Sequence, residues 1–287
     1  MDSKNIVKCG LIGYPIKHSL SPKMHNAAFR EFNLPYRYCL YPLKIDEFNN
    51  FNGFLDKEKI KGLNVTVPYK EKILTYLDSK SDSAAAIGAV NTIVKKDKKI
   101  KGFNTDFLGF SKHLKEITSL SGLRVALLGA GGAAKAVVYS LIKEKVAAIS
   151  LFDIDLEKGK GLVCKSKKWA EACKSDIAIN QVENREELDI LNKDLLINAT
   201  PVGLKKDDPL LVDKNFLHKD LIVYDLIYNP ARTKLLAAAE EKGLRFSNGL
   251  GMLIYQGAES FLHFSEVNLE VDRVAAVMKK SLTNRGD

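Results

Sequence analysis

No apolar run in this chain approaches the roughly 18 residues that a helix needs to cross a bilayer, so nothing in it reads as a membrane span. The opening MDSKNIVKCGLIG passes directly into a strand-like stretch, and no leader is expected from it. Cysteine is scarce. Cys9, Cys39, Cys164 and Cys173 are the four in 287 residues, none forms a CxxC pair, and no histidine lies at metal-like spacing from them. That argues against a disulfide framework and a zinc site, and for a reducing, cytoplasmic setting. Internal repeats and low-complexity segments are also absent. Positive charge is in excess, at +9 from 44 Lys and Arg against 35 Asp and Glu. The lysines are spread along the chain. The densest run, KKDKKIK at 95–101, falls between NTIV and GFNT as the turn of a hairpin. Scattered charge of this kind reads against nucleic-acid binding. It suits an anionic substrate and a phosphate-bearing cofactor.

From residue 6 to about 117, strand-like and helix-like stretches alternate. IVKCGLIG, RYCLYPL, GLNVTVP, AVNTIV and IKGFNT read as strands, and PKMHNAAFREFN, KIDEFNNFNGFL and FLGFSKHLKEI read as helices. SLSGL at 119–123 is a polar joint. A second alternating series starts at RVALLGAGGAAKAVV and runs to about residue 249, and two helical patterns form the tail. This alternation predicts an α/β protein with parallel sheets in two units.

In the second series, the apolar stretch Val125–Leu128 leads into Gly129, Gly131 and Gly132, and then into a helical pattern. Glycines at a strand-to-helix junction let backbone N–H groups and a helix N-terminus approach a pyrophosphate. Gly129, Gly131 and Ala134 match the version of the motif that ends in alanine. Asp153 ends the next strand, 24 residues past Gly129. A carboxylate there can accept from ribose hydroxyls and repels a 2′-phosphate; it can equally cap the next helix, as can Asp155. No arginine lies in DIDLEKGK, though Lys158 and Lys160 can meet a phosphate as point charges. The balance favours NAD, with NADP as the alternative.

In the first series, NVTVPYKEK sets Lys70 where a strand stops at Pro68 and a helical stretch from Tyr69 begins. From position alone, Lys70 reads first as a solvated lysine in a first helical turn, beside Lys72. GYPIKHSLSPKMHN puts Ser21 before Pro22, a helix-start pattern in which serine caps. With Ser19 beside it, such a start can receive a carboxylate. His18 and His25 read as packing or hydrogen-bonding residues. Asn64, Thr66, Asn91 and Asp106 fall at strand ends, where each can bind a hydroxyl or hold a turn. Together with Lys70 they suit a small polyhydroxylated acid.

GYPIKHSLSPKMHN, NVTVPYKE, IGAVNT, GFNTDFLG, LLGAGGAAKA, NATPVG, DLIYNP and NGLGMLIYQGA, in this order, resemble the shikimate dehydrogenase family. The resemblance implies an N-terminal αβα substrate-binding domain over 1–105, completed by C-terminal helices from 250–287. It also implies a Rossmann-type, doubly wound cofactor domain over 106–249. The implied reaction is reversible reduction of 3-dehydroshikimate to shikimate, with quinate as a further candidate substrate, in a monomer or homodimer. Lys70 and Asp106 would form the catalytic pair. Ser19 and Ser21 would hold the substrate carboxylate, with Thr66 and Tyr228 nearby, and Asn91, Asp106 and Gln256 would hold ring hydroxyls. Gly129, Ala130, Gly131, Gly132 and Ala133 would cradle the pyrophosphate, and Leu226, Gly249 and Asp82 would lie near the nicotinamide. Where NADP-using members carry Asn-Arg-Thr, this chain reads Asp153, Ile154, Asp155, which is similar to the family's NAD-using, quinate/shikimate branch. A non-catalytic ligand sensor on the same scaffold is the alternative from outside the enzymes.

Overall fold

The structure is a computed structural model that describes residues 6–283 of the chain. Its contacts divide the chain into two units, Met1–Gly109 with Ile254–Asp287, and Phe110–Leu253. The divisions fall inside two helices, a few residues after the boundaries read from sequence.

The first unit begins β1 (Val7–Gly13), α1 (Ser21–Glu31), β2 (Tyr36–Pro42), α2 (Ile45–Phe48), α3 (Phe51–Glu58) and β3 (Ile60–Val65). It continues with β4 (Ser79–Lys80), α4 (Asp82–Ile87), β5 (Thr92–Lys96), β6 (Lys99–Phe103) and the start of α5 (Asp106–Lys115). Its strand order is β2-β1-β3-β5-β6-β4. β1 runs parallel to β2 and β3, but β5 is antiparallel to both β3 and β6, so this sheet is mixed where the alternation predicted a parallel one. The cause is local. Asp97 and Lys98 both take positive φ, 49° and 67°, and close β5 onto β6 as a two-residue hairpin. The core under β3 and β5 is built from Phe48, Phe51, Leu63, Val65, Tyr69 and Ile93 among others.

Two expected helices differ. KIDEFNNFNGFL is broken into α2 and α3 at Asn49–Asn50, residues that compete for backbone hydrogen bonds. The stretch after Pro68 forms only a short 3-10 turn at Lys72–Tyr76, so Lys70 stands in a turn before it and not in a helix.

The second unit holds β7 (Arg124–Leu128), α6 (Gly132–Lys143), β8 (Ala148–Phe152), α7 (Leu156–Ala172), β9 (Ala178–Gln181), β10 (Leu195–Asn198), β11 (Ile222–Asp225), α8 (Lys234–Glu241) and β12 (Arg245–Asn248). All its strand pairs are parallel, in the order β12-β11-β10-β7-β8-β9. The chain moves outward from β7 one way, then returns to β10 and moves outward the other way. A parallel sheet wound outward from its middle in both directions is the doubly wound nucleotide-binding arrangement, whose connections are right-handed as a rule. Its ligand crevice lies beyond the carboxyl ends of β7 and β10, where the order reverses.

The tail is α9 (Leu250–Ser265) and α10 (Val271–Thr283), and α10 packs against α1 in the first unit. Among the described residues, no helix is long and apolar enough to cross a membrane.

Candidate active site

Three segments of the first unit converge on Lys70. Tyr69, beside it, is buried, stacks on Phe48 at 4.1 Å and donates its hydroxyl to Leu43 O at 2.7 Å. Val90 N donates to Lys70 O at 2.8 Å, so the turn is pinned to the chain entering β5. The side chain then reaches the first residue of α5. Lys70 Nζ donates to Asp106 Oδ2 at 2.7 Å; Asp106 is 7% exposed, and Lys70 retains 18%. A largely buried ion pair is weak evidence for stability, because desolvation offsets the attraction. Here it fixes an ammonium group beside a carboxylate with one side still open.

Asp106 is held from behind. Asn91 Nδ2 donates to its Oδ1 at 2.8 Å, and Asn104 Oδ1 accepts from its backbone N–H at 3.1 Å. Asn91 is itself fully engaged: Nδ2 also lies 2.9 Å from Thr105 Oγ1 and 3.2 Å from Gln256 Oε1, and Oδ1 accepts from Thr105 N at 2.7 Å. Asn64 is equally engaged. Its Oδ1 accepts from the Tyr38 hydroxyl at 2.8 Å, and its Nδ2 lies within reach of Asn91 O, Thr92 Oγ1 and Ser260 Oγ. Both amides, expected to face ring hydroxyls, are thus tied into the protein's own frame as the structure stands.

The residues that sequence reasoning missed are the buried hydroxyls of that frame. Thr92, Thr105 and Ser260 are fully buried, with Oγ–Oγ distances of 2.8 to 3.3 Å. Thr105 sat inside the quoted GFNTD. Ser260 is one helical turn past Gln256 and donates to its carbonyl at 2.8 Å, so helical spacing was the available signal.

At the start of α1 the cap reading of Ser21 fails. The N-cap is Leu20, Pro22 occupies the first turn, and no side chain caps the helix. Ser19 Oγ takes the nearby role, accepting from Ser21 N at 3.2 Å and donating to Ser21 Oγ at 3.2 Å. Thr66, half-buried, follows β3 and donates its N–H to Ile12 O at 2.9 Å. Asp82 is exposed in the first turn of α4. His18 is exposed. His25 is fully buried, with neither ring nitrogen bonded, and burial holds its pKa down at about 3.

In the second unit the glycine loop has the shape the motif requires. Gly129 has φ +104°, and a Cβ there would stand 2.9 Å from Ala199 O. Gly131 precedes α6 and Gly132 opens it, and a Cβ at either would meet open space, so the start of the helix is uncovered there. Ala134 is fully buried, the small third position that lets helix and strand approach. Asp153 does not cap α7; Asp155 does, accepting from Lys158 N at 3.1 Å. Asp153 instead ties the loop down: Oδ2 accepts from Ala130 N at 2.6 Å and Oδ1 from Asp155 N at 2.8 Å. Lys158 Nζ pairs with Asp155 at 3.0 Å, Lys160 pairs with Glu157 at 3.0 Å, and Ile154 between the two acids is 92% exposed. Gly249 passes so close to Leu226 that a Cβ would lie 2.0 Å from its carbonyl oxygen. Tyr228 follows β11, half-buried, and burial raises its phenol above the ordinary value. These features fit a dinucleotide: a tight glycine turn, an open helix N-terminus and an acid at the end of β8.

A doubly wound dinucleotide domain joined to a unit bearing a buried Lys–Asp pair is the arrangement expected of a nicotinamide-dependent dehydrogenase. The family model described as shikimate dehydrogenase substrate binding domain matches residues 11–93. A shikimate dehydrogenase (NADP(+)) of Methanopyrus kandleri is 40% identical over 274 residues, covering 93% of this chain and 94% of that protein. The crystal structure of shikimate dehydrogenase from Aquifex aeolicus superposes with a TM-score of 0.89 at 36% identity, covering 99% of this chain and 100% of that one. A Listeria monocytogenes shikimate 5-dehydrogenase, solved in complex with shikimate and NAD, gives 0.83 at 34% identity, covering 95% and 96%. The chain belongs to the shikimate dehydrogenase family.

Proposed function

We propose that this chain interconverts 3-dehydroshikimate and shikimate, with Lys70 and Asp106 managing the proton. The observation that carries the reading is the 2.7 Å contact between Lys70 Nζ and Asp106 Oδ2, set in the family's own sequence context. A bound reduced nicotinamide supplies the hydride to the ring carbonyl carbon. Lys70 donates a proton from Nζ to the carbonyl oxygen as negative charge develops there, and takes it back from the hydroxyl in the reverse direction. Asp106 orients the ammonium group and balances its charge. Asn91 holds Asp106 through Oδ1, so its part is support for the pair. Ser19 and Ser21 are assigned to the substrate carboxylate, with Thr66 nearby and helped by the positive end of α1, and Gln256 to a ring hydroxyl.

For the cofactor we favour NAD. The NADP(+) in the Methanopyrus relative's name stands on the other side, so the preference rests on this chain's own residues. A 2′-phosphate would meet the Asp153 carboxylate and find no arginine fork, and Lys158 and Lys160 already pair with carboxylates. The test is an initial-rate comparison of shikimate and quinate, each with NAD+ and with NADP+. Turnover should be fastest with shikimate and NAD+. A higher kcat/KM with NADP+ would overturn the cofactor assignment, and absence of turnover in all four would overturn the function.

A further inference from the structure

An open surface pocket of about 530 Å³ lies in the first unit, between the β5–β6 hairpin and the end of α9. Side chains alternate along β6, so Lys99, Lys101 and Phe103 share one face, and the register puts Lys96 opposite Lys99 and Val94 opposite Lys101. Phe103 stacks on His263 of α9, with ring centroids 3.9 Å apart and 22° between planes, which makes one wall flat and aromatic. Lys101 Nζ stands 5.3 Å from the Phe103 centroid. Two carboxylates, Asp97 and Glu266, also line the pocket. Glu266 is already paired with Lys61 and Lys96. Lys99 and Lys101 therefore stand beside the Phe103–His263 stack, Lys101 over the Phe103 ring and, among the described residues, neither with a carboxylate at ion-pair distance.

We infer that this pocket binds a small aromatic anion, its ring against the Phe103–His263 pair and its carboxylate or phosphate on Lys99 and Lys101. The chemistry is ordinary. A ring gains by offset stacking on an aromatic pair, and an anion accepts charge-assisted hydrogen bonds from lysine. None of the lining groups belongs to the Lys70–Asp106 site, so the inference does not depend on the dehydrogenase reading. Burial and the neighbouring Lys101 both hold His263 below its ordinary pKa, so an anion placed on Lys101 would also change the imidazole's surroundings.

The chain has five histidines, so its imidazole NMR signals can be followed one by one, with His263→Gln assigning the relevant one. Benzoate is the probe, and benzamide, the same ring without the charge, is the control. Benzoate should shift the His263 signal saturably and benzamide should not. Lys101→Gln should weaken the effect about tenfold, the worth of one charge-assisted hydrogen bond, and Lys99→Gln should weaken it similarly. Unchanged signals from the other histidines show that the variants remain folded. Reading His263 also separates this pocket from the carboxylate position at Ser19 and Ser21. The inference fails if benzoate leaves His263 unmoved, if benzamide acts equally, or if both lysine variants bind benzoate like the parent chain.

Discussion

At the scale of single residues, His25 shows how burial is converted into pH dependence. Its ring stacks on Tyr38 at 4.2 Å with 5° between planes, and neither nitrogen has a hydrogen-bond partner. Desolvation therefore lowers its pKa from 6.5 to about 3. In the window between those values the unfolded chain takes up a proton that the folded chain refuses. Stability is then fully present above the unfolded value and falls as the pH drops through the window. Urea midpoints measured across that range should decline with acid, and the decline should be shallower in His25→Phe, which keeps the stack without the titration. Equal slopes in the two proteins would show that His25 is not the group responsible. The sequence reading of His25 as a packing or hydrogen-bonding residue agrees with the stack on Tyr38, but the complete burial and the two unbonded nitrogens behind the pH dependence were not legible in it. The same holds for Thr92, Thr105 and Ser260, which meet one another because α9 brings Ser260 onto Thr92 and Thr105 from more than 150 residues away.

At the scale of elements, glycine positions give opposite expectations that can be checked side by side. Gly249→Ala would force a Cβ into the Leu226 carbonyl, and backbone must move to relieve it. A loss of about 1–3 kcal/mol is expected from such overpacking, with reduced turnover because the adjoining Leu226 segment is displaced. Gly161 lies inside α7 with open space around it, so Gly161→Ala should stabilise the chain by about 0.5–1 kcal/mol. Thermal unfolding of the two variants decides both. The doubly wound order of the second unit was readable because strand, glycine turn and helix follow in fixed sequence. The mixed sheet of the first unit was read as parallel although its hairpin was recognised, since a two-residue turn reverses direction whatever the surrounding alternation suggests. The helix expected after Pro68 shrank to a short turn because the segment from Tyr69 to Val90 is held by Tyr69 and by the Lys70 carbonyl.

At the scale of the whole molecule, the net charge of +9 and the anionic substrate belong together. If the field of the protein helps gather shikimate, kcat/KM should fall as salt is added, with kcat changing less. A salt-independent kcat/KM would confine the electrostatics to the site itself. Family membership was legible because its motifs are long and ordered. The Lys70–Asp106 contact was an expectation from two motifs 36 residues apart, and the cofactor choice turns on a short run around Asp153 where this chain departs from the NADP pattern.

The most direct test of the central claim is the steady-state turnover of Lys70→Ala with shikimate and NAD+, beside a spectrum confirming the native fold. Loss of a positioned proton donor predicts a kcat lower by about 10²–10⁴-fold. A folded Lys70→Ala protein that turns over as fast as the parent would contradict the account.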